Sequence, residues 1–199
     1  MDAAWLGLGL LGGVILAASV HGARHPTIHP REVRVFEAIN GLPGWLYWPL
    51  WPPMQLGNLV VGTAVGLAVA WWQHDWPIAI GVVLAMALKL VAERVVRHRM
   101  AGFSEVRQRP GTSEPNAVLR GGDVPTSGAS FPSGHVVLVA AVSIVVTNDL
   151  PVAVAWVPLV CTAAVMVGRV YVGAHNPLDV TAGLGLGLLV GAIVDVLLS

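Results

Sequence analysis

Six apolar runs separated by polar turns leave this chain little choice but to fold inside a membrane. They cover about Ala3 to Val20, Met54 to Trp72, Pro77 to just past Lys89, Ser133 or Gly134 to Asn148-Asp149, Pro151 to about Val167, and Pro177 to Leu198. Each is long enough, or nearly so, to cross a hydrocarbon core as a helix. The chain is 55% hydrophobic and only 11% charged, against about 25% charged in soluble domains. An all-α, polytopic membrane bundle of six transmembrane helices is expected, built as a single domain over residues 1–199.

The polar segments fill in the layout. The first run begins at Met1-Asp2 with no positive charge before it, so a retained helix is expected over a signal peptide. Between His21 and Pro53, Val33, Phe36, Ile39 and Leu42 recur about three apart, followed by Trp45, Trp48 and Trp51. This predicts a short interfacial amphipathic helix with tryptophans at headgroup depth. A polar stretch from about Arg94 to Phe131 is long enough to be functional. The net charge is zero, which gives no basic field for nucleic acid. Cys161 lies within an apolar run and reads as a packed thiol. His21, His25 and His29 are four apart, but Pro26 and Pro30 break any helix that would align them, so no metal site is expected. No cofactor is implied, and the oligomeric state is silent.

Six spans put both termini and the turns at residues 73–76 and 148–150 on one side. All 11 Lys and Arg residues fall on, or snorkel toward, the other. The positive-inside rule makes that side cytoplasmic. Arg predominates over Lys, and Ala, Val and Gly are abundant, which points to a GC-rich bacterial genome and a bacterial cytoplasmic (inner) membrane.

Two stretches carry chemistry. In Phe131-Pro132-Ser133-Gly134-His135, Ser133 is a good N-cap for the fourth span. Its hydroxyl and the first free backbone N–H groups converge where the helix dipole favours an anion. Gly134 permits close approach, and His135 sits on the first turn. A plain helix cap beside a structural histidine accounts for this pentapeptide equally well. The second stretch runs from Gly168 to Asp179. Asn176-Pro177 caps the sixth span, placing His175 just before it and Asp179 one turn in, where a carboxylate can orient the imidazole. Arg169 ends the fifth span with a guanidinium suited to phosphate. The span order puts Ser133, His135, Arg169, His175 and Asp179 on one face of the bilayer.

Phe131-Pro132-Ser133-Gly134-His135 resembles the second signature of the type 2 phosphatidic acid phosphatase family. Arg169, His175 and Asp179 match its third, Arg-x5-His-x3-Asp. The resemblance implies a membrane phosphatase acting on lipid phosphates without a metal. By position, His175 is the nucleophile and forms a phosphohistidine, Asp179 orients it, and His135 is the general acid. Ser133, Gly134 and Arg169 hold phosphate oxygens. The family's first signature, Lys-x6-Arg-Pro, is degenerate. Arg109-Pro110 is the only Arg-Pro pair, and Gly102 stands seven residues before it. Lys89 with Arg97 is the first choice for this wall, on a helical stripe with Glu93. Arg94 with Arg99 is the second.

The expected activity is hydrolysis of a phosphomonoester or pyrophosphate on a membrane lipid. Candidate substrates are a polyprenyl-phosphosugar phosphate, phosphatidylglycerol phosphate, phosphatidate or a polyprenyl pyrophosphate, with the site on the cytoplasmic face. The alternative is a non-catalytic lipid-phosphate binder or transporter that has lost the first signature. A pocket that only binds needs no nucleophile, which favours the enzyme.

Overall fold

A computed structural model describes residues 3–25, 27–100, 107–122, 124–147 and 150–199. Its helices are α1 (Ala3–Ala23), α2 (Pro30–Asn40), α3 (Tyr47–Gln55), α4 (Leu59–Gln73), α5 (Trp76–Arg99), α6 (Pro110–Ser113), α7 (Gly134–Thr147), α8 (Val157–Tyr171) and α9 (Pro177–Leu198). A 3-10 turn, Gly44–Leu46, leads into α3. Among the described residues there is no strand, only a single antiparallel bridge between Gln108 and Ala129.

Local chemistry sets the helix ends. Asn58 Oδ1 accepts the Val60 N–H at 2.9 Å and starts α4. His74, at φ 55°, closes α4 in the left-handed conformation. Asp75 then accepts the Ile78 N–H at 3.3 Å and opens α5, with Pro77 in its first turn. His29 Nδ1 accepts the Arg31 N–H and caps α2.

The bundle is organised around α9, which packs against α1, α7 and α5, while α7 also contacts α4 and α8. Close approach depends on glycine. A Cβ at Gly187 would lie 2.6 Å from Ala140 Cβ and 2.7 Å from the Val137 carbonyl. A Cβ at Gly183 would meet the Ser133 carbonyl at 2.7 Å. Small residues at i, i+4 are how membrane helices bring backbones together.

The outer surface is apolar: Leu10, Val14, Val60, Ile80, Val91 and Leu159 are all exposed, as expected of side chains facing lipid. Trp71, Trp72 and Trp76 are exposed at the end opposite the polar loops. Two helices are by themselves long and apolar enough to cross a membrane, α1 (Leu6–Ala23) and α9 (Pro177–Leu198). A third crossing arises if Gly44–Gln55 and Leu59–Gln73 count as one span bent by 64°. The helices α7 and α8 are apolar but shorter, and α5 carries charge along its last three turns. By length and composition, then, the described helices give two or three spans where the apolar runs suggest six.

Several boundaries differ from expectation. The helix α5 continues to Arg99, so the polar stretch starts later than Arg94. The helix α8 begins at Val157 because residues 151–156 form turns. The expected end of the fourth span, Asn148-Asp149, lies outside the described residues. The expected interfacial helix corresponds to α2, whose Phe36 and Asn40 are buried inward. Trp45, Trp48 and Trp51 follow on the 3-10 turn and α3, exposed.

Candidate active site

The polar ends of five helices meet at one end of the bundle: the start of α2, the end of α5, the start of α7, the end of α8 and the start of α9. The α8–α9 turn is tight. The Arg169 carbonyl accepts both the Ala174 N–H (3.0 Å) and the His175 N–H (3.3 Å), which folds His175 back over Arg169. Gly173, at φ +77°, makes that reversal possible. The α7 and α9 starts are stitched together by the Ser133 N–H, which donates to the Asp179 carbonyl at 3.0 Å. Ser133, Arg169, His175 and Asp179 are all buried.

His175 Nδ1 faces Asp179 Oδ2 at 3.8 Å. That is wider than a hydrogen bond, and such contacts commonly tighten only when substrate is bound. Asp179 is otherwise fully engaged. Its Oδ2 accepts the Asn176 N–H at 2.9 Å. Its Oδ1 accepts from Arg107 Nη2 at 2.6 Å and Nε at 3.2 Å. Burial pushes the His175 imidazole below its ordinary pKa, Asp179 pulls it up, and Arg169 and Arg109 add to the effect of burial. The balance favours the uncharged form of the ring. With Nδ1 turned to Asp179, Nε2 is the ring nitrogen directed away from the carboxylate.

His135, on the first turn of α7, lies within electrostatic reach of Arg169, His175, Lys89 and Arg109. It packs on Gly57, in the break between α3 and α4. A Cβ there would fall 2.6 Å from His135 Cβ and 2.9 Å from its ring. Ser133 Oγ is buried with no hydrogen-bond partner among the described residues. It stands beside the first backbone N–H groups of α7, which have no acceptor within their own helix. A buried hydroxyl, free amide donors and surrounding cations together make a seat for an anion.

The stripe on α5 reaches the same place. Glu93 pairs with Lys89 at 2.7 Å and with Arg97 at 2.6 Å. Its carboxylate lies against Gly134, where a Cβ would come within 2.7 Å of Glu93 Oε2. Arg94 and Arg99 are exposed on the same helix end. They line an open cavity beside it.

Three residues that sequence reasoning missed complete the site. Arg109 Nη1 donates to the Ala174 carbonyl at 2.9 Å, next to His175. Burial and the charge of Arg97 hold its guanidinium below its ordinary pKa. Arg109-Pro110 is the only Arg-Pro pair in the sequence, but Gly102 stands where the signature has its lysine, seven residues before Arg109. Arg107 forms a buried fork between Asp179 and Glu32, with Nη2 2.7 Å from Glu32 Oε1. Burial opposes its charge, but the two carboxylates more than offset this and hold its pKa above the ordinary value. Glu32, on the first turn of α2, also accepts the Leu178 N–H at 3.0 Å. Nothing in the sequence distinguished Glu32 from other charges on an interfacial helix.

The loop that carries Arg107 and Arg109 is fastened at several points. The Ser130 N–H donates to the Arg107 carbonyl and the Arg109 N–H to the Gly128 carbonyl, running the two segments side by side into Ser133. Asn40 Nδ2 donates to the Val118 and Tyr171 carbonyls at 2.9 Å each, and its Oδ1 accepts the Val118 N–H. Arg120 donates to the Tyr171 carbonyl and covers the Tyr171 ring at 4.2 Å.

Residues 78–197 match the family model of the PAP2 superfamily. Over 143 residues the chain is 32% identical to the decaprenylphosphoryl-5-phosphoribose phosphatase of Mycobacterium tuberculosis, covering 70% of this chain and 71% of that protein. Among solved structures, it resembles the transmembrane PAP2-type phosphatidylglycerolphosphate phosphatase of Bacillus subtilis. The TM-score is 0.71 at 23% identity, over 97% of this chain and 94% of the other. It also resembles Aquifex aeolicus LpxE, with a TM-score of 0.68 at 21% identity over 81% of this chain and 93% of the other.

Proposed function

For a chain that belongs to the PAP2 superfamily and is a membrane lipid phosphatase, we propose metal-independent hydrolysis of a phosphomonoester on a polyprenyl-phosphosugar, through a phosphohistidine at His175. The observation that carries this is the buried His175 imidazole, backed by the Asp179 carboxylate at 3.8 Å and within electrostatic reach of Arg169 and Arg109. The sugar-lipid substrate is supported by the relative from Mycobacterium tuberculosis named for decaprenylphosphoryl-5-phosphoribose.

In the first step His175 Nε2 attacks phosphorus, the P–O bond to the sugar breaks, and His135 gives its proton to the departing oxygen. In the second, His135 takes a proton from water, the hydroxide attacks the phosphohistidine, and inorganic phosphate leaves. The cations and the donors at the start of α7 stabilise the charge spread over the transferring phosphoryl group. Gly134 and Ser133 line that seat. Lys89 and Arg97, steadied by Glu93, form its α5 wall, and Arg109 takes the place of the family's Arg-Pro arginine. Arg99 stands outside it. Arg109→Gln should therefore lower kcat/KM by about 10²-fold, and Arg99→Gln by less than about threefold. Phosphate release at several substrate concentrations measures both, and equal effects would return the role to α5.

An apolar cavity of about 380 Å³ lies between α4, α7 and α8, lined by Leu56, Val65, Trp72, Val139 and Cys161 among others. Leu56 adjoins the Gly57 that packs on His135, so an isoprenoid tail could lie in the cavity with its phosphate at the site. The protein acts as one domain over residues 1–199 with six crossings, α3–α4 together and α7 and α8 each counting as one. The basic end, with the site, faces the cytoplasm.

A panel of lipid phosphates incubated with purified protein, with and without chelator, tests the reaction. Phosphate should be released fastest from the polyprenyl-phosphosugar phosphate and be insensitive to chelator. Release from none of the lipids would favour a binder or transporter. A cysteine introduced at Arg31 in a Cys161→Ser background should react with an impermeant maleimide only after the membrane is opened. Labelling of intact cells would reverse the orientation.

A further inference from the structure

We propose that Arg107 and Glu32 are positioning residues that fix both the orientation and the net charge of Asp179 behind the nucleophile. The inference rests on His175 being the group that is phosphorylated. Arg107 binds Oδ1 of Asp179 through two nitrogens, at 2.6 Å and 3.2 Å. The Asn176 N–H holds Oδ2 at 2.9 Å. Together they stop the carboxylate from rotating and keep Oδ2 toward His175 Nδ1. Arg107 is in turn held by Glu32 through Nη1 at 2.9 Å and Nη2 at 2.7 Å. Glu32 also grips the first turn of α9 through the Leu178 N–H. The chain Glu32, Arg107, Asp179, His175 thus runs from one helix, through a loop, to the reacting ring.

The charges explain why Glu32 is needed. When Nε2 bonds to phosphorus the ring becomes cationic, and a single negative charge behind it is the matching field. Arg107 alone would cancel Asp179. With Glu32 added, the three groups sum to one negative charge, while Asp179 keeps the rigidity that a bidentate guanidinium confers. The other charged or titratable groups facing His175 are Arg169 from α8, Arg109 from the loop and His135 from α7. None of these is negative.

The two residues should therefore shift the ionisation of His175 in opposite directions. Arg107→Gln removes a cation, favours the imidazolium, and should move the acid limb of kcat/KM to higher pH by about half a unit or more. Glu32→Gln removes an anion and should move it to lower pH by a similar amount. The Glu32→Gln/Arg107→Gln double variant restores the net charge and should bring the limb back near wild type. Arg107→Lys keeps the charge but loses the fork, so kcat should fall about tenfold with the limb unmoved. Activity is read as phosphate release from the polyprenyl-phosphosugar phosphate in micelles. The same shifts are read without activity by NMR titration of ¹³C-labelled imidazoles, with the His175 resonance identified by its loss in His175→Asn. Opposite single shifts that cancel in the double establish the clamp, even if no lipid in the panel is hydrolysed. Shifts in the same direction, or none, in the NMR titration overturn it, whatever the activity.

Discussion

His175→Ala is expected to abolish phosphate release, a loss of about 10⁴-fold or more, with the protein still folded in detergent. At about 1.4 kcal/mol per factor of ten this amounts to more than about 5 kcal/mol of transition-state stabilisation. That magnitude is reasonable for the proposed nucleophile, because every other group in the site would act on chemistry that His175 initiates. The fold should survive, because the ion pairs of Asp179 with Arg107 and of Arg107 with Glu32 do not involve the imidazole. The stitch from the Ser133 N–H to the Asp179 carbonyl is backbone to backbone. Acid–base behaviour separates the two histidines further. With a lipid substrate, His135→Ala should lose turnover to a comparable degree. With an aryl phosphate, whose leaving group needs no proton, it should still form the phosphoenzyme and stall there. Rapid quenching in base should then trap an acid-labile phosphohistidine in His135→Ala and none in His175→Ala. Wild-type turnover in His175→Ala would end the proposal.

Gly187→Leu is expected to cause the largest loss of folding stability of any single change discussed, about 3 kcal/mol or more. A Cβ at this position already falls 2.6 Å from Ala140 Cβ and 2.7 Å from the Val137 carbonyl. The obstruction is a helix backbone and a side chain with no rotamers, so neither can turn aside. The added isobutyl group must push α7 away from α9. Because Ser133 and His135 travel with α7 while His175 and Asp179 travel with α9, the same displacement pulls the phosphate seat from the nucleophile. Thermal midpoint in detergent and phosphate release should fall together. Gly7→Leu is the matched control: nothing lies within 4 Å of a Cβ there, so it should leave both within error. Equal tolerance at the two glycines would mean that the α7–α9 packing is looser than described.

The layout of the candidate site was legible in the sequence wherever a residue's placement depends on its near neighbours. Ser133 before a helix, His175 before Asn176-Pro177 and Asp179 one turn in are local arrangements, and turn and cap chemistry determines them. The stripe of Lys89, Glu93 and Arg97 could be read for the same reason, since residues four apart share a helix face. Arg109 was hidden because it lacks the spacing of the first signature, whereas the loop returns it beside His175 by a hydrogen bond to the Ala174 carbonyl. Arg107 and Glu32 lie further from view. Their partners are 72 and 146 residues away, and no periodicity records a contact of that range. Helix existence was legible from apolar runs, but helix ends were not always. Residues 151–156 are as apolar as the helix they precede, yet they form turns, because hydropathy reports burial or lipid contact and not backbone conformation.

The loop from Arg107 to Ser130 has almost no regular structure, yet Asn40, Arg120, Arg109 and Arg107 each tie it to a different helix or turn. The described part of this segment is thus held at four separate points. On the proposed reaction, a loop held in this way would leave lipid to enter and depart along the bilayer plane, past α4 and α7, where the apolar cavity lies. Turnover would then follow the lateral mobility of the surrounding lipid, and the loop's solvent face could change freely to admit new sugars while the chemistry beneath stays the same.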